Sequence, residues 1–371
     1  MAEFVFTPEQ EDLRRGVRQF CAEFADEATV RRLMDGEPGH DPAVWARLGG
    51  ELGVLGLAVP EALGGAGGGL VDQAVVAEEF GAALLPGPVF GTVGLVVPAL
   101  VELGGDELLA DLLEGSRMAA FAVPDRSGRY DPELVTVSAS DGALSGEVRQ
   151  VVDGAADVLL VAARGADGVG LYAVEGGERT PLSTLDRTRR QATVRFDATP
   201  GRLLAAGADA ERAITAALRV GAALLAAEQV GGAQRLLDTT VAYAGTRLQF
   251  GRPIGSFQAV KHRCADMLVL VEHARSAAYH AAWTLQDGTD DPDLAVSVAQ
   301  ATCSEAYQRV AFDTVQMHGG IGFTWEHPTH LYVKRAVTDA ALLGSAAVHR
   351  ERIAALVLDA AVDSGVPVAT G

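Results

Sequence analysis

Two long apolar stretches, from about Ala210 to Ala242 and from about Gln258 to Gln286, are split by a short corner that no helix can cross, and this pairing limits the possible folds most. The corner reads Tyr243-Ala-Gly-Thr-Arg247-Leu-Gln-Phe250-Gly251-Arg-Pro253-Ile254-Gly255-Ser-Phe257-Gln258. Gly251, Pro253 and Gly255 stop a helix there, because glycine adds backbone freedom and proline removes a donor and clashes with the preceding turn. In the first stretch Ile214, Leu218, Gly221, Leu224, Leu225, Gly232 and Leu236 recur at helical spacing and give one apolar face. Glu228 falls on that face, where a carboxylate must find a partner or titrate upward; pairing with an arginine and service as a general base are both open. The corner itself presents a cation, an aromatic ring and an amide, a set that suits an anionic, partly planar ligand. It also reads as a surface turn with one buried phenylalanine.

A chain of 371 residues holds two or three domains around sizeable cores. Its net charge of −19 argues against binding to nucleic acid or an anionic membrane, both of which need a basic face. Cys21, Cys264 and Cys303 show neither paired-cysteine spacing nor an even number, so no disulfide framework or zinc site is expected. The opening Met-Ala-Glu-Phe-Val-Phe lacks a basic segment before an apolar one, and the apolar run from Gly91 to Leu103 is too short to span a bilayer. A cytoplasmic protein is the expectation.

Thr7-Pro8-Glu9-Gln10 reads as a helix start, and helices are expected over Pro42–Leu52, Leu70–Leu84 and on to about Gly115. Between them Gly53-Val-Leu-Gly-Leu-Ala-Val-Pro60-Glu61-Ala-Leu-Gly64-Gly65-Ala-Gly67-Gly68-Gly69 ends in a glycine cluster without the Gly-Lys-Ser/Thr of a phosphate loop. From Met118 the texture changes. Leu134–Ser138, Val158–Ala162, Val169–Val174 and Ala192–Phe196 are short β-branched or alternating runs, which predict a small antiparallel sandwich or barrel. From Ala210 the pattern is helical to the end. The reading is an α+β chain of three domains: residues 1–117 helical, 118–205 β, and 206–371 a four-helix bundle.

Arg247, Phe250, Gly251, Ile254 and Gln258 resemble the Arg-x-x-Phe-Gly-x-x-Ile-x-x-x-Gln signature of the acyl-CoA dehydrogenase family. Gln316-Met-His-Gly319-Gly320-Ile-Gly322-Phe-Thr-Trp325-Glu326-His327-Pro328 is similar to a second family segment, and the Pro60–Gly65 corner to a third near the acyl pocket. The resemblance implies the three-domain fold above, FAD as cofactor, an acyl-CoA substrate, a homo- or hetero-oligomer, and an electron-transferring flavoprotein as acceptor. It assigns flavin contacts, usually to a flavin held mainly by the neighbouring subunit, to Arg247, Phe250, Gln258, Gln316, Gly319 and Gly320. Taken alone, the glycine pair also reads as a helix C-cap. His327 and His330 lack a third ligand, so no metal is expected.

The chain also departs from the family. Where members carry Thr-Glu-Pro-x-x-Gly-Ser-Asp and Trp-x-Thr-Asn, it reads Val123-Pro124-Asp125-Arg126-Ser127-Gly128 and Val148-Arg149-Gln150-Val151-Val152-Asp153-Gly154. The family's base, a glutamate shortly before the last helix or one on the helix before the arginine corner, falls on Leu343 and Gly221. The catalytic base is therefore unknown. Three expectations follow: the base-lacking subunit of a heteromeric FAD-dependent acyl-CoA dehydrogenase, a homo-oligomer with a displaced base for which Glu228 is the candidate, or a non-catalytic scaffold or acyl-CoA-binding protein.

Overall fold

The computed structural model describes residues 5–125, 127–166 and 168–363, so the opening residues 1–4 and Arg126 of the altered segment lie outside the described residues. Helix α1 (Pro8–Phe24) starts where its cap predicts: Thr7 Oγ1 accepts from the Gln10 N–H at 3.3 Å, and Gln10 Oε1 accepts from the Thr7 N–H at 3.1 Å. Helices α2 (Glu27–Asp35) and α3 (Pro42–Gly50) follow, each capped by an aspartate, Asp26 and Asp41. After the glycine corner come α4 (Leu70–Ala83), a π-helical segment (Phe90–Val96) running into α5 (Val97–Glu102), and α6 (Glu107–Glu114).

The middle of the chain forms one eight-stranded sheet from β1 (Ala119–Ala122), β2 (Ser138–Ser140), β3 (Ala143–Val152), β4 (Val158–Gly165), β5 (Gly168–Val174), β6 (Glu178–Pro181), β7 (Gln191–Pro200) and β8 (Arg202–Ala206). Its order is β6-β7-β3-β2-β4-β5-β8, with β1 on β4. The expected antiparallel domain is corrected to a mixed one, since β1 and β2 both run parallel to β4. The run at Leu134 is corrected as well: Pro132–Leu134 is a 3-10 turn, because Pro132 cannot donate to a ladder and Asp131 accepts from the Glu133 N–H. Strand β4 is buried on both faces. Val158, Leu160 and Ala162 pack towards the helices, while Leu159, Val161 and Ala163 meet Tyr172, Val194 and Phe196 on the other side, the period of two that a strand imposes.

The C-terminal part is built on α7 (Ala208–Thr246), α8 (Gln258–Asp287), α9 (Pro292–His318), α10 (Thr329–Asp339) and α11 (Ala346–Asp363). Helices α7, α8, α9 and α11 make the bundle, and α7 also packs on α4. Helix α7 is long and apolar enough to cross a membrane by length and composition, yet most of it is buried inside the bundle, which accounts for its composition. The α4–α7 contact is backbone against backbone. A Cβ on Gly231 would lie 1.7 Å from the Glu78 carbonyl oxygen, and one on Gly81 2.0 Å from that of Glu228.

Candidate functional site

The Arg247 corner is a tight hairpin rather than a plain loop. Strands β9 (Leu248–Gln249) and β10 (Arg252–Pro253) pair across Phe250 and Gly251, both at positive φ (52° and 74°), as a two-residue hairpin of the primed type requires. The Ile254 N–H donates to the Arg247 carbonyl at 2.8 Å and closes the corner. Phe250 is not buried: it is 90% exposed, and its one ring contact among the described residues is an edge-on approach to Phe257, at 6.1 Å. The surface-turn reading with a buried ring therefore fails. Arg247 is exposed and its guanidinium makes no ion pair or hydrogen bond among the described residues. Gln258 opens α8 beside His262, 3.0 Å away.

Gln316, Gly319 and Gly320 lie at the end of α9, all exposed, and a Cβ on either glycine would meet open space. The Gly319 N–H is spent on the helix cap, donating to the carbonyls of Val315 and Gln316. The following turn exposes Phe323 (86%) and Trp325 (61%). Tyr243, one turn before Arg247, stacks on His318, the residue before Gly319, at 4.4 Å and 24°. The structure thus brings the two motif-bearing corners together at one end of the bundle, facing outward. Among the described residues no group of three metal-ligating side chains occurs.

Glu228 finds partners instead of a reaction. Its Oε1 accepts from the Nη2 of Arg189, in the loop after β6, and from the Nη1 of Arg335 on α10. Arg335 also donates through Nε to Asp186 Oδ2 and through Nη2 to Thr188 Oγ1 at 2.6 Å. Burial pushes the Glu228 carboxyl up, but the two guanidinium groups outweigh it and hold the acid below its usual range. Asp339 is wholly buried, 3.2 Å from Arg189 Nε but out of line for a hydrogen bond; burial pushes it up to about 7. Asp153, whose Oδ2 accepts from the Gly91 N–H at 3.1 Å, is pushed by burial to about 6. This cluster ties the sheet to α7 and α10. Sequence reasoning missed it apart from Glu228; the charge-dense Asp186-Arg187-Thr188-Arg189-Arg190 run was the available signal.

A separate open cleft of about 910 Å³ lies between the sheet and the C-terminal helices. Val123, Pro124, Asp125, Val148, Arg149, Gln150, Leu218 and Leu343 all line it. Its carboxylates are engaged: Asp125 Oδ1 accepts from the N–H groups of Ser127 and Gly128, and Glu147 pairs with Arg149 at 2.8 Å.

The family model for the N-terminal domain of acyl-CoA dehydrogenases matches residues 7–118, and that for the C-terminal domain matches residues 211–358. Acyl-CoA dehydrogenase IpdE2 of Mycolicibacterium smegmatis is 40% identical over 336 residues, 91% of this chain and 94% of that protein. The chain belongs to the acyl-CoA dehydrogenase family. Two solved structures share its fold at a TM-score of 0.84. One is the ChsE4-ChsE5 complex from Mycobacterium tuberculosis, 29% identical over 99% of this chain and 100% of that one. The other is the Tcur3481-Tcur3483 steroid ACAD, 31% identical over 95% of this chain and 99% of that one.

Acyl-CoA dehydrogenases are oxidoreductases acting on CH–CH bonds, which sharpens the question of the base. Leu343 lines the cleft from a turn fixed by the His349 Nε2–H, which donates to its carbonyl at 2.8 Å, and by Gly128, whose Cβ would lie 2.4 Å from that same oxygen. Gly221 is sealed: a Cβ there would lie 2.5 Å from Leu95 Cδ2. Neither place holds a proton acceptor, and the second has no room for one.

Proposed function

We propose that this chain is the base-lacking subunit of a heteromeric, FAD-dependent acyl-CoA dehydrogenase, and that it completes the flavin site of a base-carrying partner. One observation carries the reading. The residues that match flavin contacts stand exposed at the bundle end, Arg247 without a side-chain partner among the described residues, while of the two base positions one is a leucine in the chain's own cleft and the other a glycine sealed against Leu95. Phe250 and Phe323 leave large rings in solvent beside them, which a neighbouring subunit would cover. Two-component names among the structural relatives, and the steroid ACAD in particular, point the same way and favour a bulky acyl group on CoA.

The residues at the bundle end fit the anionic half of the cofactor. Arg247 offers a fork of N–H donors to a phosphate, Gln258 and Gln316 offer amide edges, Phe250 offers a face to an aromatic ring, and Gly319 and Gly320 let a backbone approach closely. FAD, when bound, takes the β-hydrogen of the acyl group as hydride. The α-proton goes to a carboxylate that this chain does not hold at either family position. Electron-transferring flavoprotein is the proposed acceptor, and the cytoplasm the proposed location.

The displaced-base reading loses its candidate, since two arginines occupy Glu228. The test is co-expression with base-carrying members of the family from the source organism. The correct pair should co-purify as an oligomer with bound flavin, and Arg247→Ala should release flavin while the pair stays assembled. Flavin retention unchanged in Arg247→Ala overturns the proposal, and an assembled pair that never binds flavin favours the scaffold reading.

A further inference from the structure

The two flavin-contact corners belong to different helices, and one side chain joins them. His318 is the last residue of α9 and is 3% exposed. One face of its ring stacks on Tyr243 at 4.4 Å; His327 packs on it as well, at 4.5 Å. Its Nδ1–H donates to the Thr314 carbonyl at 2.8 Å, which leaves Nε2 an acceptor without a partner among the described residues. Burial without a second acceptor disfavours the charged ring and pushes its pKa below the ordinary value. From Tyr243 the link continues in backbone: the Arg247 N–H donates to the Tyr243 carbonyl at 2.8 Å. In the other direction His318 passes directly into Gly319 and Gly320. The Tyr243 hydroxyl also reaches the His318 carbonyl, at 3.5 Å. No other side-chain hydrogen bond or ring contact among the described residues joins Tyr243, or the corner that follows it, to the end of α9.

We propose that His318 is a positioning residue: its ring sets the separation between the Arg247 corner and the Gly319-Gly320 turn, so that two loops act as one clamp on a dinucleotide. The clamp half of this rests on the flavin-completing role proposed above. The fixed separation does not, because the stack lies within this chain. A neutral ring suits the task, since a charge would need an acceptor at Nε2 that the packed site lacks. A phenylalanine keeps the stacking surface and loses only the bond to Thr314; an alanine loses the stack.

The test uses the full chain with Cys264→Ser and nitroxide labels on cysteines introduced at Gln249 and Ile321, read by pulsed electron resonance. The unmodified His318 and His318→Phe should give one narrow distance distribution, and His318→Ala a clearly broader one. Equal widths in all three overturn the proposal. In the assembled pair His318→Ala should weaken flavin retention on the order of tenfold by misaligning charge-assisted contacts, with His318→Phe restoring most of it. A broader distance with undiminished flavin overturns the clamp. If the parent pair itself takes up no flavin, the role proposed for the chain fails, and the distance distributions still decide whether His318 sets the separation.

Discussion

Replacing Arg335 with methionine tests whether the buried cluster holds the sheet against the bundle. Arg335 is 4% exposed and its guanidinium serves Asp186, Thr188 and Glu228, so the variant keeps much of the volume and leaves the Asp186 carboxylate with Thr188 as its one donor among the described residues. Removing one partner of a buried ion pair costs about 3–5 kcal/mol, because the remaining charge is left uncompensated. For 371 residues the unfolding entropy is about 0.8 kcal/mol per kelvin, so the thermal midpoint should drop by about 4–6 °C if the chain melts as one unit. Arg212→Ala is the control: it breaks an exposed pair with Asp209 and should move the midpoint by less than about 1 °C. Scanning calorimetry reads both. Equal small shifts for the two variants would refute the claim that burial makes the Arg335 cluster different in kind.

Asp339 is held near 7 against an ordinary 3.8, with Arg189, Arg335, Glu228, Asp186 and Tyr307 around it, so the folded state binds the extra proton between those values. Its contribution to stability is therefore lost as pH rises from about 4 through 7, and Asp339→Asn should flatten that fall in a pH series of melting curves. Gly231→Ala drives a methyl into the Glu78 carbonyl and should destabilise by about 1–3 kcal/mol or more, seen as a lower midpoint; an unchanged midpoint would mean that α4 and α7 can part freely. Phe250→Ser with Phe323→Ser should leave the isolated chain's melting unchanged and weaken its assembly with the partner at least about tenfold by analytical ultracentrifugation, one hot-spot ring being worth 2 kcal/mol or more.

Helix ends marked by local chemistry were legible in the sequence: the Thr7-Pro8 start, the Pro42 start and the Gly251-Pro253 break each act within a few residues. Helix α2 was not, although Asp26 caps it, because its apolar face is short. Strands β3, β6, β7 and β8 show the limit more sharply, since pairing depends on partners distant in sequence; of these only the apolar centre of β7 was visible. The parallel placement of β1 and β2 on β4 could not be read at all. At the site, the Arg247 and Gly319 corners were visible as motifs, but their meeting through Tyr243 and His318 is a tertiary fact. The partners of Glu228 come from a loop and a helix far along the chain, and only the need for a partner could be foreseen.

The role proposed for this chain is to complete another subunit's flavin site without a working one of its own. The visible absorption spectrum of the chain purified alone, then mixed with its base-carrying partner and challenged with acyl-CoA thioesters, tests it most directly. The expected result is a colourless chain, with flavin absorption and bleaching by substrate only in the pair. A yellow chain that bleaches with acyl-CoA by itself would contradict it.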